Sequence, residues 1–174
     1  MKKLHVNARN WGRRGAGGLG SLAFYTKDDE KLPVTDIVGI GRTDGVTFKL
    51  NGVNARIEWF NNYGLSMYDA VAYDEGARDT LFILLYDMDS LPIEKQGFYV
   101  YFEKSITNIA YITLLSTDYG ATNFVVSVDD GKWSDPVPTV GNEVFRIPIP
   151  RERAMLGKNG HYYFRKPKVT EPVS

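Results

Sequence analysis

The chain has 174 residues, 43% of them hydrophobic and 24% charged, which is ordinary composition for one globular domain and excludes a wholly disordered protein. It contains no cysteine, so neither a disulfide framework nor a thiolate metal site can form. Net charge is zero, yet residues 1–27 carry six bases and no acid, and residues 150–174 carry six bases and two acids. The stretch between them therefore holds a balance of −10, and the pattern is of two basic ends on an acidic body.

The start, Met1-Lys2-Lys3-Leu4-His5-Val6, is positive but leads into no apolar run, so no signal peptide is expected. Residues 7–20 contain five glycines and show no hydrophobic period. Such a segment is costly to order and has little apolar surface to offset that cost, so residues 1–20 read as a flexible basic arm. Within it, Gly15-Ala16-Gly17-Gly18-Leu19-Gly20 matches the G-x-G-x-x-G pattern of dinucleotide-binding folds. That fingerprint needs a strand before it and a helix after it. Here Asn10-Trp11-Gly12-Arg13-Arg14 precedes it and a strand-like run follows, so no nucleotide cofactor is expected.

From Ser21, short β-like runs alternate with turn residues, and residues 21–165 read as one β domain. The candidate strands are Ser21–Thr26, Pro33–Ile40, Gly45–Leu50, Val53–Phe60, Leu65–Tyr73, Thr80–Tyr86, Gly97–Glu103, Ile109–Leu115, Asn123–Val128, Val144–Ile149 and His161–Arg165. About ten strands at this spacing predict an all-β antiparallel sandwich, jelly-roll or immunoglobulin-like. The Asn51-Gly52 pair predicts a two-residue type I′ hairpin. Its register would pair Leu50 with Val53, Phe48 with Ala55 and Val46 with Ile57 on an apolar face, and Lys49 with Asn54 and Thr47 with Arg56 on a polar one. A second hairpin is expected at Asp130-Gly131, setting Asp129 opposite Lys132 and Val128 opposite Trp133. Leu81–Leu85 lacks alternation, which predicts a central strand covered on both faces. It is also the longest purely apolar stretch and far too short to span a bilayer, so no membrane partner is expected. Helix is allowed at most near residues 149–157 or 104–110.

Candidate functional residues are few. His5 and His161 are the only histidines, neither at a metal-ligand spacing, and no G-x-S-x-G elbow occurs. No catalytic, cofactor-binding or metal site is assigned. Asp28-Asp29-Glu30, Asp87-Met88-Asp89 and Asp129-Asp130 could contribute oxygen ligands to a calcium ion but match no calcium loop. Phe98, Val100 and Phe102 share one strand face and leave Tyr99 and Tyr101 on the other, as a ligand face if open. Trp59 and Trp133 fall on inward positions. Trp11 is a large apolar side chain in a basic segment, where a docking role is expected.

Arg9, Trp11, Arg13 and Arg14 at one end, and Arg165, Lys166 and Lys168 at the other, are therefore the candidate partner-binding residues. Residues 166–174 read as an extended tail, its prolines blocking helix. The acidic body would repel a polyanion, so the expected partner is another copy or another structural protein, not nucleic acid. Mobile arms on a compact β domain form a layout similar to that of many viral and phage structural proteins. The reading is thus a non-enzymatic assembly protein, such as a capsid, decoration or tail component of a virion. A carbohydrate-binding module is the second reading, and a carboxylate-dependent hydrolase or lyase the third.

Overall fold

A computed structural model describes residues 1–12, 17–38, 40–41, 46–60, 70–71, 81–85, 87–116, 121–140, 143–150, 153–156 and 162–165. The strands are β1 (Lys3–Asn10), β2 (Gly17–Tyr25), β3 (Val34–Val38), β4 (Ile40–Gly41), β5 (Val46–Leu50), β6 (Val53–Trp59), β7 (Ala70–Val71) and β8 (Leu81–Leu85). They continue with β9 (Phe98–Phe102), β10 (Tyr111–Ser116), β11 (Asn123–Val128), β12 (Val137–Pro138), β13 (Val144–Pro148), β14 (Arg153–Leu156) and β15 (Tyr162–Arg165). Two single 3-10 turns, Met88–Ser90 and Ile93–Lys95, are the only helical pieces among the described residues. In neither region where helix was allowed do the described residues form one; residues 153–156 are strand β14.

The strands form an antiparallel β-sandwich. One sheet has seven strands in the order β12-β11-β1-β9-β6-β5-β3, the other four in the order β13-β10-β2-β8. A single hydrophobic cluster lies between them, drawing Leu4, Val6, Ile57 and Val100 from the larger sheet and Leu22, Phe24, Ile112 and Leu114 from the smaller. The Phe24 ring meets Phe48 at 6.3 Å and Phe102 at 6.2 Å across the interface, and Phe124 meets Phe145 at 5.9 Å. Inward residues of both sheets interdigitate in this way in any sandwich.

The expected N-terminal arm is corrected. Residues 3–10 are a central strand of the larger sheet, paired with β9 on one side and β11 on the other. Leu4, Val6 and Ala8 are buried on the core side, a period-2 set interleaved with polar residues. Residues 17–20 of the glycine-rich run also fold: Gly17 and Gly18 pair with Leu85 and Leu84, and Gly20 with Leu115. Ladder bonds to two neighbours, with burial of Leu19 and Leu22, offset the entropy of ordering the glycines. As expected, the G-x-G-x-x-G segment leads into a strand and no helix.

The Asn51-Gly52 hairpin has the register read from the sequence, Val46 with Ile57 through Leu50 with Val53. Asn51 and Gly52 have φ of 48° and 82°, as a type I′ turn requires. The second hairpin turns one residue early. Asp129 and Asp130 are its central residues, at φ 49° and 57°, and the Gly131 N–H donates to the Val128 carbonyl. The chain then bonds Ser134 N–H to the Val126 carbonyl, and this slip moves Trp133 off the core face. Trp59 is buried in the core, as expected. Leu81–Leu85 forms a strand, but among the described strands it stands at the end of the smaller sheet instead of its centre.

Candidate functional site

The outward face of the larger sheet carries a continuous row of rings and cations. Alternation along β1 sends Lys3, His5, Asn7 and Arg9 to this side, opposite the buried Leu4, Val6 and Ala8. Register then sets Lys3 beside Tyr101 and His5 beside Tyr99, and on the next strand Arg56 beside Tyr101 and Glu58 beside Tyr99. The His5 ring stacks on Tyr99 with centroids 4.0 Å apart, and Tyr99 stacks with Tyr101 at 5.9 Å. The Lys3 ammonium sits 5.0 Å from the Tyr99 centroid and 5.8 Å from that of Tyr101. The Arg56 guanidinium covers Tyr101 at 4.7 Å. At the other end Trp133 packs on His5 at 4.8 Å and receives the Arg9 guanidinium at 5.0 Å. Each such contact is worth about 0.5–1 kcal/mol at an exposed site.

A short segment, residues 87–97, closes over part of this row. The His5 Nε2–H donates to the Gln96 carbonyl at 2.6 Å, and Asn7 Nδ2 donates to the Ile93 carbonyl at 3.2 Å. Trp11 Nε1 donates to Gln96 Oε1 at 3.0 Å, while Gln96 Nε2 donates to the Leu91 carbonyl. Gly97 lets the segment return to β9: its φ is +80°, and a Cβ there would stand 2.0 Å from the Val6 carbonyl oxygen.

Burial shapes the titration of these groups. It is the main cause lowering the His5 pKa, aided by Lys3 and Arg9 and opposed by the hydrogen bond to Gln96. His5 is thus held neutral at physiological pH. Burial likewise pushes the Tyr99 phenol up to about 12, and raises Tyr101 with help from Glu58. Lys3 is raised by its 2.8 Å contact with Asp130.

The residues singled out from the sequence fare differently. Tyr99 and Tyr101 do share the outward face, but Tyr99 is only 7% exposed and Tyr101 is half-buried, so the tyrosine face is not an open platform. Arg9 is exposed at the end of β1. Trp11 is half-buried, packs against the core and meets Phe124 edge-on at 6.4 Å; it is not a projecting anchor. Arg165 ends β15, whereas Arg13, Arg14, Lys166, Lys168 and His161 lie outside the described residues. Lys3, His5, Arg56 and Trp133 were not expected at this site. The alternation of Lys3, His5, Asn7 and Arg9 was a readable signal, but no local feature shows that β9 and β11 flank them.

The acidic clusters have structural uses. Asp129 Oδ1 accepts from the Lys2 and Lys3 amides, and Asp29 Oδ1 accepts from the Tyr111 hydroxyl and Arg146. Among the described residues no three His, Asp or Glu side chains converge on a metal-sized site, and no described helix is long and apolar enough to cross a membrane. Comparison with protein-family models, curated proteins and solved structures finds no match. The protein is therefore an antiparallel β-sandwich with a cation–aromatic outer face.

Proposed function

We propose that this protein is a non-enzymatic assembly protein that associates with copies of itself through the outer face of its seven-stranded sheet. One observation carries the reading: the outward rings are capped by cations, with Arg56 over Tyr101, Lys3 over both tyrosines and Arg9 over Trp133. Interfaces between proteins are enriched in arginine and aromatic residues, and hot spots more so. A sugar, in contrast, needs an open ring face on which to lie, and Lys3 and Arg56 would have to move to provide one. The acidic middle of the chain supplies a complementary surface on a neighbouring copy. A virion component is the narrower form of the same reading. Its arm-based argument is weakened by β1 and β2, since residues 3–10 and 17–25 belong to the sheets.

The test is molar mass by light scattering after size exclusion, over a range of salt. The expected result is a defined oligomer at low salt that dissociates toward about 1 M, where the screening length is only about 3 Å. The variant Arg56→Ala should be monomeric with little change in melting temperature. A wild-type chain that stays monomeric at every salt and concentration overturns the proposal.

A further inference from the structure

The row of cations on this face divides into two halves. Lys3 is paired with Asp130 at 2.8 Å, Arg56 with Glu58 at 3.3 Å, and Lys49, further along the same sheet, with Asp36 at 3.4 Å. Around Trp133 the pattern changes. Arg9 and Lys132 are both exposed, and neither has a carboxylate partner among the described residues. Arg9 lies near the end of β1 and Lys132 precedes Trp133. Lys95, in the neighbouring 3-10 turn, points elsewhere, with its ammonium 5.7 Å from the Phe60 ring centre.

Arg9 is the better placed of the two to receive a ligand. Its guanidinium lies on the Trp133 ring, which in turn is packed on His5, and His5 is fixed by Tyr99 and the Gln96 carbonyl. A planar fork held against an aromatic ring has already lost much of its rotamer freedom and keeps its N–H edge available for a bidentate carboxylate. Among the described residues Arg9 has no carboxylate partner, whereas Lys3, Arg56 and Lys49 each have one.

We infer that the Arg9–Trp133 end of the face is a docking site for an acidic polypeptide segment, with a Glu or Asp carboxylate on the Arg9 guanidinium and Lys132 receiving a flanking acid. This rests on the association reading above and gives it a polarity: the acidic stretch of one copy approaches the Arg9 end of the next. A polypeptide is the better fit because the middle of this same chain carries the balance of −10 that a neighbouring copy would present to Arg9.

The experiment uses the full chain and a fluorescein-labelled peptide alternating Glu and Leu, with an otherwise identical Gln–Leu peptide as control. Binding is followed by anisotropy at low and high salt. The Glu peptide should bind and the Gln peptide should not. Arg9→Gln, which keeps most of the stem over Trp133, should weaken binding at least tenfold, and Lys132→Gln by a smaller factor. Lys49→Gln, at a cation already paired, should leave it unchanged. Equal binding of both peptides, or an Arg9→Gln chain that binds like wild type, overturns the assignment. A wild-type chain that oligomerises yet ignores the Glu peptide also overturns it while leaving self-association standing. A strict monomer that binds the peptide through Arg9 would instead overturn self-association and keep this site.

Discussion

At Gly97 and Gly52 the same backbone preference has different consequences. Both have φ near +80°, where a side chain is strained. Nothing lies within 4 Å of a Cβ at Gly52, so Gly52→Ala should cost about 1 kcal/mol, the left-handed strain alone. At Gly97 the added Cβ meets the Val6 carbonyl at 2.0 Å, and neither β1 nor β9 can retreat from the middle of a sheet. Gly97→Ala should cost about 3–5 kcal/mol, strain and overpacking together. Urea unfolding of the two variants checks this, and equal losses would show that the 87–97 segment is not seated against β1. His5 makes a prediction about pH. Its folded pKa is lowered, so the unfolded chain binds the extra proton first as pH falls. Stability should be full above the ordinary histidine value of about 6.5 and decline below it, until the folded form titrates too. His5→Gln should flatten that part of the stability profile. A profile unchanged by the substitution would mean that His5 is not the group titrating.

At the scale of elements, β1 and β2 are the informative pair. Amides of Leu4–Val6 should exchange with solvent only by global unfolding, because this part of β1 is bonded on both edges by β9 and β11. An arm would exchange within the dead time of the measurement, so hydrogen exchange decides between the two directly. The polar hairpin face at Thr47, Lys49, Asn54 and Arg56 was legible because an Asn-Gly turn sets register over its neighbours without outside help. The Asp129-Asp130 turn was not, since Asp and Gly both tolerate positive φ and three adjacent residues competed for two turn positions. Moving the turn by one residue shifts partners by two and keeps the faces. It is the extra residue after the turn, with Ser134 in place of Trp133 bonding Val126, that takes Trp133 from the core to the outer face. β1 was missed for another reason. Its alternation of Leu4, Val6 and Ala8 is short, and the glycines that follow mask it in any window wide enough to judge periodicity.

Over the whole molecule, the −10 balance of the middle and the unneutralised end around Arg9 are the features that point outward. The predicted salt-sensitive oligomer belongs to this scale, because it depends on a surface assembled from β1, β6, β9 and the loop carrying Trp133. The β class, the Asn51-Gly52 hairpin with its register, and the opposed faces of Phe98–Phe102 were legible from the residues alone, because period-2 alternation and turn chemistry act over a few residues. That Lys3 and His5 stand beside Tyr101 and Tyr99, that Arg9 lies on Trp133, and that residues 3–10 form a central strand of a sheet emerges only once the chain is folded. Those pairings join residues about a hundred positions apart, and their stability comes from burial and ladder bonds shared between strands that no local pattern can match to each other.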